Sequence, residues 1–347
     1  MSTCPCDFLE KQNPFLREKR VVFDDSLDDD GERRHDYYID GDKNNITSVT
    51  TLIHHNFQPF DADAIIAKIL RGRRWKSDQQ YRYYQRTKAD ILDEWEVNRV
   101  DASTRGTAMH LHIEQYLNNY PFKDDSVEFQ QFLNFKNDYP NLTPFRTELV
   151  VFDEVYRIAG SLDMLYLDKD TGNLWIYDWK RSKEFKWSNK WQSGSGPLSH
   201  LDDCNIVLYS LQLNLYKRIL ETHYDVIVDG MCLVRCHPNL ADYERVVVEN
   251  MDAEIDSILD QRHKQLFPVE SSASSPVRDG PPEGDDECAF SDSDEDKHDD
   301  CEMTYLFNQL DIAQSSSLPL NAQSSSPSGG PSRTGDDECA FSDSDED

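Results

Sequence analysis

Residues 147–180, TELVVFDEVYRIAGSLDMLYLDKDTGNLWIYDWK, constrain this chain more than any other stretch. β-Branched and aromatic residues dominate it and turn residues interrupt it. That pattern predicts three consecutive antiparallel strands, Glu148–Phe152, Val155–Leu167 and Leu174–Lys180. Asp168-Lys169-Asp170-Thr171-Gly172 joins the last two as a tight turn ending in a glycine suited to positive φ. Folding the hairpin about that turn sets Asp163 opposite, or within one residue of, Asp178. Side chains alternate along a strand, so Leu174, Ile176, Asp178 and Lys180 share a face, and Asp163, Leu165 and Leu167 fit the same one. An apolar face thus ends in two carboxylates and an ammonium.

Carboxylates held side by side repel, and one is pushed toward its protonated form unless a cation lies between them. Mg²⁺ or Mn²⁺ with oxygen ligands suits such a pair. A neighbouring lysine suits orienting or deprotonating an attacking water. On spacing alone, a solvated hairpin end with an ordinary ion pair accounts for the same residues.

Two further groups of residues flank this one, making four motifs in order. Gly106-Thr107-Ala108-Met109-His110 lies upstream, Gly160-Ser161-Leu162-Asp163 and Asp178-Trp179-Lys180 lie within the hairpin, and Gln212-Leu213-Asn214-Leu215-Tyr216 lies downstream. This ordered set, over about residues 100–220, resembles the PD-(D/E)XK nucleases in their RecB-like branch. The resemblance implies a restriction-endonuclease-like α/β core, a mixed central sheet flanked by helices. It implies that His110, Asp163, Asp178 and the backbone carbonyl of Trp179 hold one or two Mg²⁺ or Mn²⁺ ions. Lys180 would then serve the attacking water, and Gln212 and Tyr216 would line the site. Relatives act mostly as exonucleases or flap-trimming enzymes on single-stranded DNA in repair, recombination and replication. Glu114, four residues from His110, is a further candidate ligand or the partner that orients the histidine. Glu148 is either another acid near the metal or a strand-edge charge.

Charge sets the domain limits. Of a net −30, the segment 269–347 holds −18, from 21 acidic and 3 basic residues. Residues 1–44 are polar, acidic and without periodicity, so disorder is expected there and in 269–347. Residues 45–100 read as a helical cap and 101–268 as the nuclease-like core. Apolar spacing predicts helices over Asp61–Leu70, Thr87–Asn98, Ser103–Tyr120, Ser126–Tyr139, Asn205–Glu221 and Met251–Phe267. Strands are expected near Asp225–Cys236 and Tyr243–Glu249.

The region 45–268 is not basic overall, which argues against a non-specific DNA coat. Cations and aromatics nevertheless interleave twice. One stretch holds Arg71, Arg73, Arg74, Trp75, Lys76, Arg82 and Arg86, and the other holds Arg181, Lys183, Lys186 and Lys190. That composition suits neutralising phosphates and stacking bases. A helix with inward tyrosines and solvated arginines explains the first stretch equally simply. The second reads as a mobile loop, given Gly194, Gly196 and Pro197.

Eight cysteines are scattered, and Cys232, Cys236 and His237 tempt a metal reading, as do Cys4 and Cys6. Met231-Cys232-Leu233-Val234-Arg235 is strand-like, however, and buried free cysteines are common. The cluster-binding cysteine spacing of some relatives is missing. No apolar leader and no run long enough to span a membrane occur, so an intracellular protein of nucleus or cytoplasm is expected. In the tail, Gly284–Asp296 (GDDECAFSDSDED) recurs letter for letter as Gly335–Asp347. Its Ser291, Ser293, Ser342 and Ser344 suit acid-directed kinases. Two rival functions follow: a nuclease-like domain that binds DNA without cutting it, and an interaction protein working through the acidic repeats.

Overall fold

The computed structural model describes residues 7–28 and 34–268. The tail 269–347, with its repeats and serines, lies outside the described residues, as do Cys4 and Cys6.

Most of the segment 1–44 departs from the expected disorder. It forms α1 (Phe8–Gln12), a short 3-10 turn over Leu16–Arg20, and a hairpin of β1 (Val21–Asp24) with β2 (Asp36–Ile39). No apolar stripe announces this segment because charge pairs and a few anchors hold it. Arg146 donates to the Asn13 carbonyl at 3.2 Å and pairs with Glu18. Arg17 pairs with Glu154 and lies 4.4 Å from the Phe152 ring centroid. Val21, Tyr37 and Ile39 pack on Phe152 and Ala159.

A two-residue strand, β3 (Thr47–Ser48), leads into α2 (Val49–His54), which the Ser48 hydroxyl caps by accepting from the Thr51 amide at 3.0 Å. Val49, Leu52 and Ile53 join the main core, so the cap is smaller than 45–100. It consists of α3 (Ala62–Arg71), α4 (Arg73–Ser77) and the first turns of α5 (Lys88–Leu117), closed around Ile66, Ile69, Tyr81, Tyr83, Ile91 and Trp95. The two helices expected over 87–98 and 103–120 are this single helix of 30 residues. Arg99-Val100-Asp101-Ala102 contains no helix breaker, and Arg99–Glu96 and Arg105–Asp101 pairs brace it a turn apart. Thr87 and Asp90 form a reciprocal capping box at its start.

After α6 (Val127–Asp138) come β4 (Leu142–Asp153), β5 (Ile158–Asp168) and β6 (Leu174–Lys180), then α7 (Asn205–His223), β7 (Val228–Arg235), β8 (Glu244–Val248) and α8 (Asp252–Leu266). The three central strands are antiparallel, as the sequence predicts, and Gly172 takes φ 76° in the turn between β5 and β6. β6 and β7 are parallel, with α7 in the connection between them, and β8 returns antiparallel. With β3 beside β5 this makes a mixed six-stranded sheet. Residues of α2, α7 and α8 pack with Leu165, Leu174 and Ile176 in one core cluster. Residues of α5 and α6 pack with Met164, Tyr166, Tyr177 and Trp179 in another. The protein is therefore an α/β fold with helices on both sides of the sheet.

Candidate functional site

The ladder between β5 and β6 runs from Leu167–Leu174 to Met164–Tyr177 and stops there. Its register brings Asp163 next to Asp178 just beyond the last pair. There a side chain replaces the backbone rung: Trp179 N–H donates to Asp163 Oδ2 at 2.8 Å. Across β5, Glu148 falls between the pairs Thr147–Met164 and Leu149–Leu162, hence opposite Asp163. Its φ is +45°, a left-handed conformation unusual inside a strand. The packing of β5 changes at the same point. Ile158 and Leu162 lie in one core cluster, whereas Met164 and Tyr166 lie in the other.

His110 reaches this gap from α5, where Met109 and Ile113 on the same helix are buried in the core. Its Nδ1 is 3.4 Å from Asp163 Oδ2 and has no hydrogen-bond partner. Ligand atoms of His110, Glu148 and Asp163 all lie within 4.8 Å of one another. Glu114, one turn along α5, is also buried, and its charge acts on Glu148. Asp178 faces Lys180 instead: Nζ is 2.8 Å from Oδ2, at ion-pair distance but not in hydrogen-bond alignment. The same ammonium lies 4.5 Å from the centroid of Tyr209, on α7.

The electrostatics follow from burial. Asp163 and Asp178 are both nearly inaccessible, and burial pushes each carboxyl up to about 6. For Asp178 the Asp163 charge adds to the rise, while Lys180 opposes it in both. Glu148 is half-buried and held well above the usual carboxylate range, by burial first and then by Asp163, Glu114 and Asp178. Burial and then Lys180 push His110 down to about 4, against Asp178 and a hydrogen bond with the Trp179 backbone.

Gln212 and Tyr216 sit one turn apart on α7, both buried, with Gln212 Nε2 donating to the Tyr216 hydroxyl at 3.3 Å. Gln212 Oε1 has no partner. Tyr216 explains Gly160: a Cβ there would lie 2.8 Å from Tyr216 Cε1 and 2.9 Å from its hydroxyl. Gly106 has no such neighbour, since a Cβ there meets nothing within 4 Å. One contributor escaped sequence reasoning. Tyr37, from the N-terminal hairpin, is buried, hydrogen-bonds the Ser161 backbone and feels the Glu148 charge. The alternating Asp36-Tyr37-Tyr38-Ile39 was the available strand signal.

The basic residues divide. Arg82 and Arg86 both pair with Glu94, and Trp75 Nε1 donates to the Arg86 carbonyl at 2.9 Å. Arg74 lies 3.4 Å from Asp78 and 4.4 Å from the Tyr81 ring centroid, while Tyr81 and Tyr83 are buried. Tyr81 and Tyr83 thus pack inward, but from a turn between α4 and α5 rather than from a helix, and their arginine neighbours are ion-paired rather than solvated, while Arg71, Arg73 and Lys76 stay exposed. Arg181 is taken up by Glu128 at 2.7 Å, whereas Lys183 and Lys190 are exposed and Lys186 is half-buried.

Burial pushes the thiols of Cys204 and Cys232 up to about 11 and that of Cys236 up to about 12. No cysteine belongs to a metal-ligand cluster among the described residues. A second acidic group, Asp153, Glu154 and His223, is internally satisfied: His223 lies 2.7 Å from Asp153, and Glu154 serves Arg17 and Arg20. Among the described residues no helix is long and apolar enough to cross a membrane.

No protein-family model matches the chain, and no curated protein matches it. Among solved structures, one described as the crystal structure of SSO0001 aligns at 15% identity over 65% of this chain and 78% of that one, with a TM-score of 0.29. A likeness that loose carries no argument.

Proposed function

We propose that this protein is a metal-dependent phosphodiesterase of the PD-(D/E)XK type that hydrolyses DNA. One observation carries the reading. Residues from four elements, His110 on α5, Glu148 on β4, Asp163 on β5, and Asp178 and Lys180 on β6, converge on one gap in the sheet. Buried acids that resist ionising together, beside an imidazole nitrogen without a hydrogen-bond partner, fit the binding of a divalent cation. Asp163, Asp178, His110, Glu148 and the Trp179 carbonyl would hold Mg²⁺ or Mn²⁺, the carboxylate majority favouring these hard ions. The ion's contribution there is polarisation of a phosphoryl oxygen and a lowered pKa for bound water.

The chain's own residues supply the rest. His110, neutral down to about pH 4, keeps a lone pair available at any working pH. The Tyr209 ring and Asp178 fix the Lys180 ammonium where it can orient a water and stabilise developing negative charge. Gln212 Oε1 offers an acceptor to a water or a substrate hydroxyl. Burial of the donor set excludes bulk water and strengthens each of these interactions. Action on single strands, exonuclease-like, is what the resemblance adds.

Labelled single- and double-stranded DNA incubated with Mg²⁺, Mn²⁺ or EDTA tests the reading. Wild type should degrade DNA only with metal, and folded Asp178→Ala and Lys180→Ala variants should not. Wild type inert on both substrates with both metals overturns it.

A further inference from the structure

The proposed chemistry uses Glu148 but does not say what holds it in place. Its backbone is left-handed, at φ +45°, and its long side chain is only half-buried. A carboxylate so placed samples several rotamers unless its surroundings select one. Ser161 on β5 supplies a partner: its Oγ donates to Glu148 Oε2 at 3.4 Å. Ser161 is held in turn by Tyr37 on β2, whose hydroxyl hydrogen-bonds the serine backbone. The Tyr37 ring packs with Phe152 and Ala159, a place that phenylalanine would fill as well. Its hydroxyl adds nothing to that packing, and a hydroxyl at such depth costs free energy unless it is bonded.

The N-terminal segment also grips β4 on the approach to Glu148. The register of β4 on β5 slips between Pro144 and Arg146, an irregularity of the kind that re-aims a strand. Asn13 Nδ2 donates to the Phe145 carbonyl at 2.9 Å, and Arg146 donates to the Asn13 carbonyl. Asn118, at the end of α5, accepts from the Leu9 amide at 3.0 Å and donates to the Thr147 hydroxyl at 2.9 Å. Three successive residues before Glu148 are thus tied to residues 9–13, directly or through Asn118. Tyr37 completes the frame from the β5 side. Such a frame matters for a ligand, because coordination distances tolerate errors of only about 0.2 Å.

We propose that Tyr37 and Ser161 are positioning residues that hold the Glu148 carboxylate in the cluster with His110 and Asp163. The N-terminal hairpin is then a working part of the site as well as a cover for the sheet. The proposal rests on the metal reading given above. Tyr37 acts through Ser161, and Ser161 acts through Glu148.

Calorimetric titration of the full chain with Mn²⁺ alone, without nucleic acid, tests it. Ser161→Ala and Tyr37→Phe should each weaken Mn²⁺ binding about ten-fold or more, the usual loss when a partner that orients a ligand is removed. Ser161→Thr keeps the hydroxyl and should keep most of the affinity. Ile39→Val loosens the packing of the same hairpin with both hydroxyls in place. It should lower the urea midpoint in EDTA and leave Mn²⁺ affinity unchanged. Unchanged affinity in either folded hydroxyl-free variant overturns the proposal and leaves the metal reading standing. Equal weakening by Ile39→Val also overturns it and assigns the effect to hairpin packing. Wild type that takes up no Mn²⁺ overturns the metal reading and the proposal with it, so the two failures are distinct. Should Tyr37→Phe not fold, Ser161→Ala against Ser161→Thr decides.

Discussion

The Trp179 amide and the Asp163 carboxylate form a hydrogen bond of 2.8 Å where β5 and β6 stop pairing. Asp163 is thus a rung of the sheet as well as a candidate ligand. The two roles separate by substitution. Asp163→Asn keeps an acceptor for the amide and removes one charge from a crowded cluster, so the metal-free protein should be no less stable. Asp163→Ala strands a buried N–H, which costs about 1–3 kcal/mol. Urea unfolding in EDTA reads the difference, while metal-dependent cleavage should vanish in both.

Asp178 behaves differently because Lys180 depends on it. Asp178→Asn takes from the buried ammonium its nearest counter-charge and leaves only Asp163 to oppose it, a loss approaching the roughly 3–5 kcal/mol of a broken buried pair. Asp178→Asn/Lys180→Met should recover most of that stability without recovering cleavage. Thermal unfolding of the two variants side by side decides.

Glu148 holds φ +45° inside a strand. A left-handed L-residue costs about 1–2 kcal/mol, which glycine avoids. Glu148→Gly should therefore unfold at higher urea than Glu148→Ala, with both losing metal binding measured by calorimetry. Equal midpoints would mean that the conformation carries no strain.

The two motif glycines should respond oppositely to alanine. Gly160→Ala drives a methyl into the Tyr216 ring, and overpacking of that kind costs about 1–3 kcal/mol. Gly106→Ala adds a methyl to open space within a helix and should gain about 1 kcal/mol. Denaturant midpoints report both.

His237 supplies a pH dependence away from the proposed metal site. Burial, then Arg181, pushes its imidazole down to about 4. The unfolded chain takes up that proton near pH 6.5. The contribution to stability is full above 6.5 and lost as pH falls toward 4. His237→Asn, which preserves an acceptor for the Asn239 amide now bound to Nδ1, should flatten this part of the stability–pH curve. Denaturation at pH 7.5 and 4.5 measures it.

The hairpin was legible because alternation and turn chemistry are local: residues 147–180 fix their own strands and the adjacency of Asp163 and Asp178. Helices with an apolar stripe were legible for the same reason, α5 excepted, where charge pairs carried the chain across a polar stretch. The N-terminal segment was not. Arg17, Arg20 and Arg146 bind it to Glu154 and Glu18 across more than a hundred residues of sequence, and such pairs leave no periodicity. The left-handed Glu148 and the Tyr37 hydroxyl escaped for a related reason: each is defined by a neighbour that only the folded sheet supplies.

The unbroken α5 joins the cap to the gap in the sheet. Its early turns bury Ile91 and Trp95 in the cap, and its later turns bury His110 and Glu114. At 1.5 Å per residue the helix spans about 45 Å, a rod rather than a string. A cap that swings on substrate must carry the imidazole with it or flex the rod. Gly106, lying between the two ends with no side chain to brace it, is where such a lever would give.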